Sequence, residues 1–198
     1  MRRLHLARLR SARGQSILEF GLMLPLVLIL VLGVVEMSWA LLDQHVVTKL
    51  TREGSNLISR DTSLQDAALA MRTMATRPVD FSGSNSTLIF SVILRVATTG
   101  ASNYNTNILY QRYQYGGLSG SSQLATRGAG SFGGAPEYQA TNSDNDTSLQ
   151  LTNLPAGINN TLGGMLYVTE IYTRHTLITP FNSFGITVPN TLYSIAYF

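Results

Sequence analysis

The stretch of this sequence that decides the fold is GQSILEFGLMLPLVLILVLGVVEMSWALL, residues 14–42. No residue between positions 20 and 35 carries a charge, and the apolar character continues past Glu36 to Leu42. A helix over residues 20–42 is roughly 34 Å long at about 1.5 Å per residue, which is enough to cross the hydrocarbon core of a bilayer. The sequence therefore predicts one membrane-spanning helix.

The residues before this stretch carry positive charge only. Five arginines and no acidic residue precede Glu19: Arg2, Arg3, Arg8, Arg10 and Arg13. Positively charged flanks stay on the cytoplasmic side of a membrane. We therefore expect residues 1–14 to be a basic cytoplasmic leader, residues 15–42 to be the transmembrane helix, and residues 43–198 to be a domain on the far side.

The carboxylate of Glu19, at the start of the apolar run, is costly in a membrane unless a positive group lies beside it. If a peptidase cut the chain between Gly14 and Gln15, the new amine of Gln15 would lie about 6 Å along the helix axis from Glu19. In helices that pack side by side with a stagger, the carboxylate of one subunit can neutralise the amine of the next. Such pairing would then be a condition of assembly.

These residues resemble those of a known family. A glycine, a small polar pair, an aliphatic pair and then Glu-Phe before an apolar helix are similar to a type IV prepilin cleavage site. More closely, three segments resemble the TadE-like minor pilins, or pseudopilins, of the tight-adherence (Tad, Flp or type IVc) pilus. These segments are Glu19 to Leu22, Pro25 within its Leu/Val run, and Gly33 to Glu36.

The resemblance implies that a prepilin peptidase cuts after Gly14, that Gln15 becomes the mature N-terminus, and that Glu19 guides subunit registration. Phe20 stands where the related major pilins usually have Tyr. The implied location is a bacterial inner membrane with the C-terminal domain in the periplasm, or an extracellular pilus. The implied partners are other pilins, the pilus assembly platform and the peptidase, with energy from a separate motor ATPase. We expect four residues to serve helix packing: Gly21, Pro25, Gly33 and Glu36.

A secretory signal peptide is the alternative interpretation of the same residues. The arginines would form its n-region, the Leu/Val run its h-region, and Ser38-Trp39-Ala40 a cleavage site. The chain would then be a secreted or membrane-anchored binding domain, such as a surface adhesin, that begins at Leu41. The apolar run exceeds an h-region of about 7 to 15 residues. Trp39 with Glu36 also suits the outer interface of a retained helix, which favours the pilin-like interpretation.

Composition limits the remaining function classes. The net charge is +3, but five of the 14 Lys and Arg precede Gly14, which leaves nine bases against 11 acids. Nucleic acid is therefore not an expected partner. The absence of cysteine excludes disulfides, thiol catalysis and Cys-based zinc sites. The three histidines are not at metal spacing, and no nucleophile elbow or phosphate loop is present. We expect no enzyme, no cofactor, no metal and no small-molecule substrate.

The residues after Leu42 predict an α+β domain. Apolar residues keep a helical spacing to Ile58, so the spanning helix continues outward as an amphipathic one. Thr62 with Gln65 predicts the capping box of a second, short helix. That helix has an apolar stripe of Leu64, Ala67, Ala68, Met71 and Met74.

Alternating and β-branched residues predict four strands, over residues 87–98, 107–115, 165–178 and 185–198. We expect an antiparallel sheet of unspecified strand order, with one face buried against the helical spine and the other in water. Residues 116–164 are rich in Gly, Ser, Asn and Thr, which predicts a long surface loop that is mobile or held by a partner.

The outer domain contains few side chains suited to chemistry. Three residues alternate as calcium ligands can: Asn142, Asp144 and Asp146. Thr147 and Asn153, however, stand where an EF-hand needs Gly and Glu. We expect His175 to be a strand-face residue rather than a base, and Glu170 to be a solvated strand position rather than a catalytic acid.

Overall fold

The computed structural model describes the backbone of residues 3–185 and 187–198 and the side chains of residues 14–183, 185 and 187–198. The side chains of the leader arginines therefore lie outside the described residues. The chain divides into two compact units. Unit 1 is Met1–Leu41 with Leu177–Val188, and unit 2 is Leu42–Thr176 with Pro189–Phe198.

The helices and strands confirm the predicted α+β class, with a long N-terminal apolar helix, one short helix and an antiparallel sheet. In the described residues, the helices are α1 (Arg3–Ile58) and α2 (Leu64–Met74). The strands are β1 (Ser86–Arg95), β2 (Asn107–Gly116), β3 (Met165–Arg174) and β4 (Thr191–Tyr197). Two 3-10 helices lie at Thr147–Leu149 and Phe181–Phe184.

The sheet of unit 2 has the strand order β2-β1-β3-β4, and all neighbours are antiparallel. In the centre of the sheet, Phe90 of β1 lies between Tyr113 of β2 and Thr169 of β3. Thr169 in turn lies opposite Ala196 of β4. The two central strands are the richest of the four in β-branched residues, as expected for strands paired on both sides.

One face of the sheet is buried against the helices of unit 2. The core contains apolar residues from α1, α2, β1 and β3: Val47, Leu50, Ile58, Leu64, Ala67, Ala68, Met71, Leu88, Phe90, Val92 and Ile171. The Ser55 hydroxyl of α1 donates to the Ala196 carbonyl at 3.0 Å. Gly54 allows this close approach, because a Cβ there would lie 2.8 Å from Cγ2 of Thr169.

The second face of the sheet is also covered, so the predicted wet face is wrong. Ile93 and Val168 on this face form a buried cluster with Leu124, and Leu151 packs against that cluster. Residues 117–164 therefore fold across the sheet rather than forming the mobile loop that their composition suggested. Isolated bridges such as Gln111 with Gln139 also tie this segment to the edge of β2.

The predicted capping box of α2 is wrong by one residue. Ser63 is the N-cap, since the Asp66 N–H donates to the Ser63 hydroxyl at 3.1 Å and that hydroxyl donates to the Asp66 carboxylate at 2.8 Å. Thr62 with Gln65 has the same spacing, so the motif alone does not distinguish the two pairs. Met71 is buried as expected, but Met74, the last helical residue, is 46% exposed.

Candidate functional site

The side chains of the apolar part of α1 in unit 1 are exposed on the molecular surface. Phe20 and Leu22 are 66% and 79% exposed, and large aliphatic residues remain exposed as far as Leu41. Among the described residues, α1 from Gly14 to Ile58 is the one helix long and apolar enough to cross a membrane. None of its most apolar window is buried within the chain, unlike the core helix of a soluble domain.

The proposed processing site lies on the exposed first part of this helix. Gly14 and Gln15 are exposed, and the Gln15 side-chain amide donates to the Glu19 carboxylate at 2.9 Å. The structure thus brings Gln15 and Glu19 together across one helical turn. This amide is neutral and leaves the charge of the carboxylate in place. The ring of Phe20 follows on the exposed surface.

Two of the four expected packing residues, Gly21 and Gly33, have open surroundings. An added Cβ at Gly14, Gly21 or Gly33 would meet no atom within 4 Å. Pro25 lies inside α1, where its ring removes one backbone hydrogen bond. These positions leave room for a neighbouring helix to approach closely, in the way that small residues do between membrane helices.

Glu36 is buried, and its carboxylate is bound by its own chain. It accepts hydrogen bonds from the backbone N–H groups of Ile178 at 3.2 Å and Thr179 at 2.8 Å, and from the Thr179 hydroxyl. Glu36 is only 4% exposed. Sequence reasoning missed this contact because the donors are mainly backbone groups more than 140 positions away. We call Leu177–Val188, the segment held by Glu36, the strap.

Asp43 and His175 form a buried pair in unit 2. His175 Nδ1 and Asp43 Oδ2 are 2.7 Å apart, and the two residues are 3% and 6% exposed. The His175 N–H also donates to the Asn190 carbonyl at 2.6 Å. His175 follows β3 directly, and its ring is inside the domain rather than on a strand face. The sequence carried no signal for this pair, whose members are 132 positions apart.

Glu170 is completely buried, so the prediction of a solvated position is wrong. Its carboxylate accepts hydrogen bonds from the Gln123 N–H at 2.7 Å, the Tyr193 hydroxyl at 2.8 Å and the Ser122 hydroxyl. Burial, followed by the bond and charge of Glu170, raises the pKa of Tyr193. Burial lowers the pKa of Arg112, and the nearby charge of Glu170 partly offsets this lowering. The network joins β2, β3, β4 and the covering segment.

The candidate calcium ligands serve local turns. The Asp146 carboxylate accepts from the Ser148 N–H at 3.0 Å and caps a 3-10 helix. The Asn142 side chain accepts from the Asn145 N–H at 3.3 Å. In the part of the chain that the structure describes, no three His, Cys, Asp or Glu side chains lie close enough to hold a metal ion.

Comparison with known proteins gives a family match for the apolar helix. Residues 14–56 match the family model described as TadE-like protein. No curated protein and no solved structure gives a significant match. The matched range begins at Gly14, contains Glu19 and Glu36, and ends two residues before the end of α1. Residues 14–56 of this chain are thus similar to a TadE-like domain.

Proposed function

We propose that this protein is a minor pilin, or pseudopilin, of a Tad/Flp-type adhesion pilus. The proposal rests on two features that occur together in one helix, the family match and the exposed apolar run. The TadE-like match includes the part of α1 whose apolar side chains no other described part of the chain covers. The same part has one carboxylate near its start, that of Glu19. A helix of this kind is stable only when lipid or other helices surround it.

The proposed topology follows from charge. The arginine-rich leader stays in the cytoplasm, residues 15–42 of α1 span the inner membrane, and residues 43–198 fold in the periplasm. A prepilin peptidase removes the leader after Gly14, so that the mature protein starts at Gln15. The role is structural and uses no cofactor, nucleic acid or small-molecule substrate. A separate ATPase drives assembly.

Assembly in this proposal depends on Glu19. A carboxylate costs up to about 2.5–3.5 kcal/mol at the centre of a membrane helix and less towards its ends, and the neutral Gln15 amide beside Glu19 does not supply an opposite charge. The mature amine of a neighbouring subunit does supply one. Gly21 and Gly33, with open space around them, let the neighbouring helix approach to the distance that this pairing requires.

The strap supports retention of the helix over the signal-peptide alternative. Cleavage after Ala40 would remove Glu36 and leave the N–H groups of Ile178 and Thr179 without the carboxylate that they bind. A hydrogen bond to a charged group contributes about 1.5–3 kcal/mol, which the cleaved chain would lose. A fold that uses residue 36 in this way fits a mature protein that keeps α1 from Gln15 onward.

The pairing role can be tested by co-purification of the pilus assembly components with tagged full-length variants from membranes. Glu19→Ala should remain a stable membrane protein but lose the other pilins. The matched control is Glu53→Ala, which removes the same charge from an exposed position on the same helix outside the apolar run. Unchanged recovery of the other pilins with Glu19→Ala would refute the pairing.

A further inference from the structure

The strap presents features of a segment that lies at a membrane surface. The sequence from Thr176 to Phe198 contains no Asp, Glu, Lys or Arg. Within the strap, Ile178 is 49% exposed, whereas Phe181 is buried. The segment belongs to the same compact unit as the apolar helix. A single exposed aliphatic side chain is ordinary on a protein surface, so the depth at which the strap is attached to α1 decides its environment.

The position of Glu36 gives the depth of this attachment. Glu36 lies 17 residues after Glu19, or about 26 Å along the helix axis, and the hydrocarbon core is about 30 Å thick. If Glu19 lies at one boundary of the core, Glu36 is just inside the other. A carboxylate there needs donors that water no longer provides, and the strap supplies two N–H groups and a hydroxyl.

We propose that the strap is a second membrane-contacting element, held at the outer boundary between headgroups and acyl chains by the Glu36 carboxylate, with Ile178 in contact with lipid. This inference rests on the proposed membrane span. Residues 177–180 of the strap are not helical, which places them at the boundary and not in the hydrocarbon centre, since exposed non-helical backbone is not tolerated there. Apolar side chains on an uncharged segment are suited to this region.

Site-specific fluorescence tests the proposal, because the chain has no cysteine of its own. Single cysteines at three exposed positions, Ile178, Leu28 and Thr99, are labelled with an environment-sensitive dye. The full-length protein is reconstituted in vesicles of equal phosphatidylcholine and phosphatidylglycerol, with or without nitroxide-labelled lipid. Leu28→Cys reports the span, and Thr99→Cys reports an exposed polar turn of unit 2.

We expect the label at Ile178 to have blue-shifted emission. We also expect nitroxide-labelled lipid to quench it nearly as strongly as it quenches the label at Leu28, and more strongly than the label at Thr99. If the Leu28 label is quenched by lipid and the Ile178 label only by an aqueous quencher, the strap proposal is overturned while the span stands. If neither is quenched by lipid, the membrane placement itself fails.

Glu36→Ala in the Ile178→Cys background tests the anchor. Loss of the carboxylate should release the strap and increase quenching of the Ile178 label by the aqueous quencher, whereas the Leu28 label should not change. Glu36→Gln keeps one acceptor oxygen and should have a smaller effect. An Ile178 label that responds equally in the parent and in Glu36→Ala would overturn the anchoring role.

Discussion

The contact between Gly54 and Thr169 makes a quantitative prediction about how α1 packs on the sheet. In Gly54→Ala, the new Cβ would lie 2.8 Å from Cγ2 of Thr169 and 3.2 Å from Cε of Met71. Met71 is flexible, but Thr169 is β-branched and lies in a central strand, so it cannot turn away freely. Overpacking of this kind costs about 1–3 kcal/mol. Removing a helical glycine returns about 1 kcal/mol, so the net loss is about 0–2 kcal/mol.

A double-mutant cycle separates these two effects. Thr169→Ala removes the clashing methyl and a buried hydroxyl for which no hydrogen-bond partner is found among the described residues. The helix-propensity gain of Gly54→Ala is the same in both backgrounds and cancels. We expect the double variant to lose about 1–3 kcal/mol less unfolding free energy than the losses of the two single variants added together. Thermal unfolding of the full chain in detergent, followed by near-ultraviolet circular dichroism, measures this coupling. A coupling of zero would refute the close approach.

Three further predictions concern the buried polar groups of unit 2. Glu170→Ala should destabilise the domain by about 3–5 kcal/mol, since it breaks a buried charged network, and the unfolding temperature measures this loss. Because the folded-state pKa of Tyr193 is raised above the unfolded value of about 10, its contribution is present below pH 10 and lost as pH rises further. Tyr193→Phe should therefore reduce the alkaline loss of stability, and Tyr104→Phe at an exposed position is the control. Asp43→Ala should cost about 1–3 kcal/mol, measured by urea titration, because it removes the buried carboxylate bonded to His175 Nδ1, and Asp43→Asn should cost less.

Local patterns in the sequence predicted the elements of this fold well. The alternation after position 86 identified β1, and the helical spacing after Leu42 identified the part of α1 that packs on the sheet. The strand runs predicted at residues 165–178 and 185–198 were too long. Their inner ends belong to the strap, and its attachment to Glu36 is a non-local contact that periodicity does not report.

The sequence also did not predict that residues 117–164 cover the second face of the sheet, because this covering depends on non-local contacts. Residues 117–164 are mostly polar, and the few apolar side chains that anchor them, such as Leu124, have no regular spacing. With that face assumed wet, Glu170 looked like a solvated residue. The pairs of Asp43 with His175 and of Glu170 with Tyr193 also join distant parts of the sequence. Burial of a charge therefore followed from tertiary contacts, not from any local motif.

The N-terminus of the mature protein tests the central proposal most directly. Intact-mass measurement and N-terminal sequencing of the protein from its native membrane or pilus fraction would give this position. The proposal predicts a chain that starts at Gln15 and keeps the rest of α1. A chain that retains the arginines before Gly14 in assembled pili, or one that starts at Leu41, would contradict it.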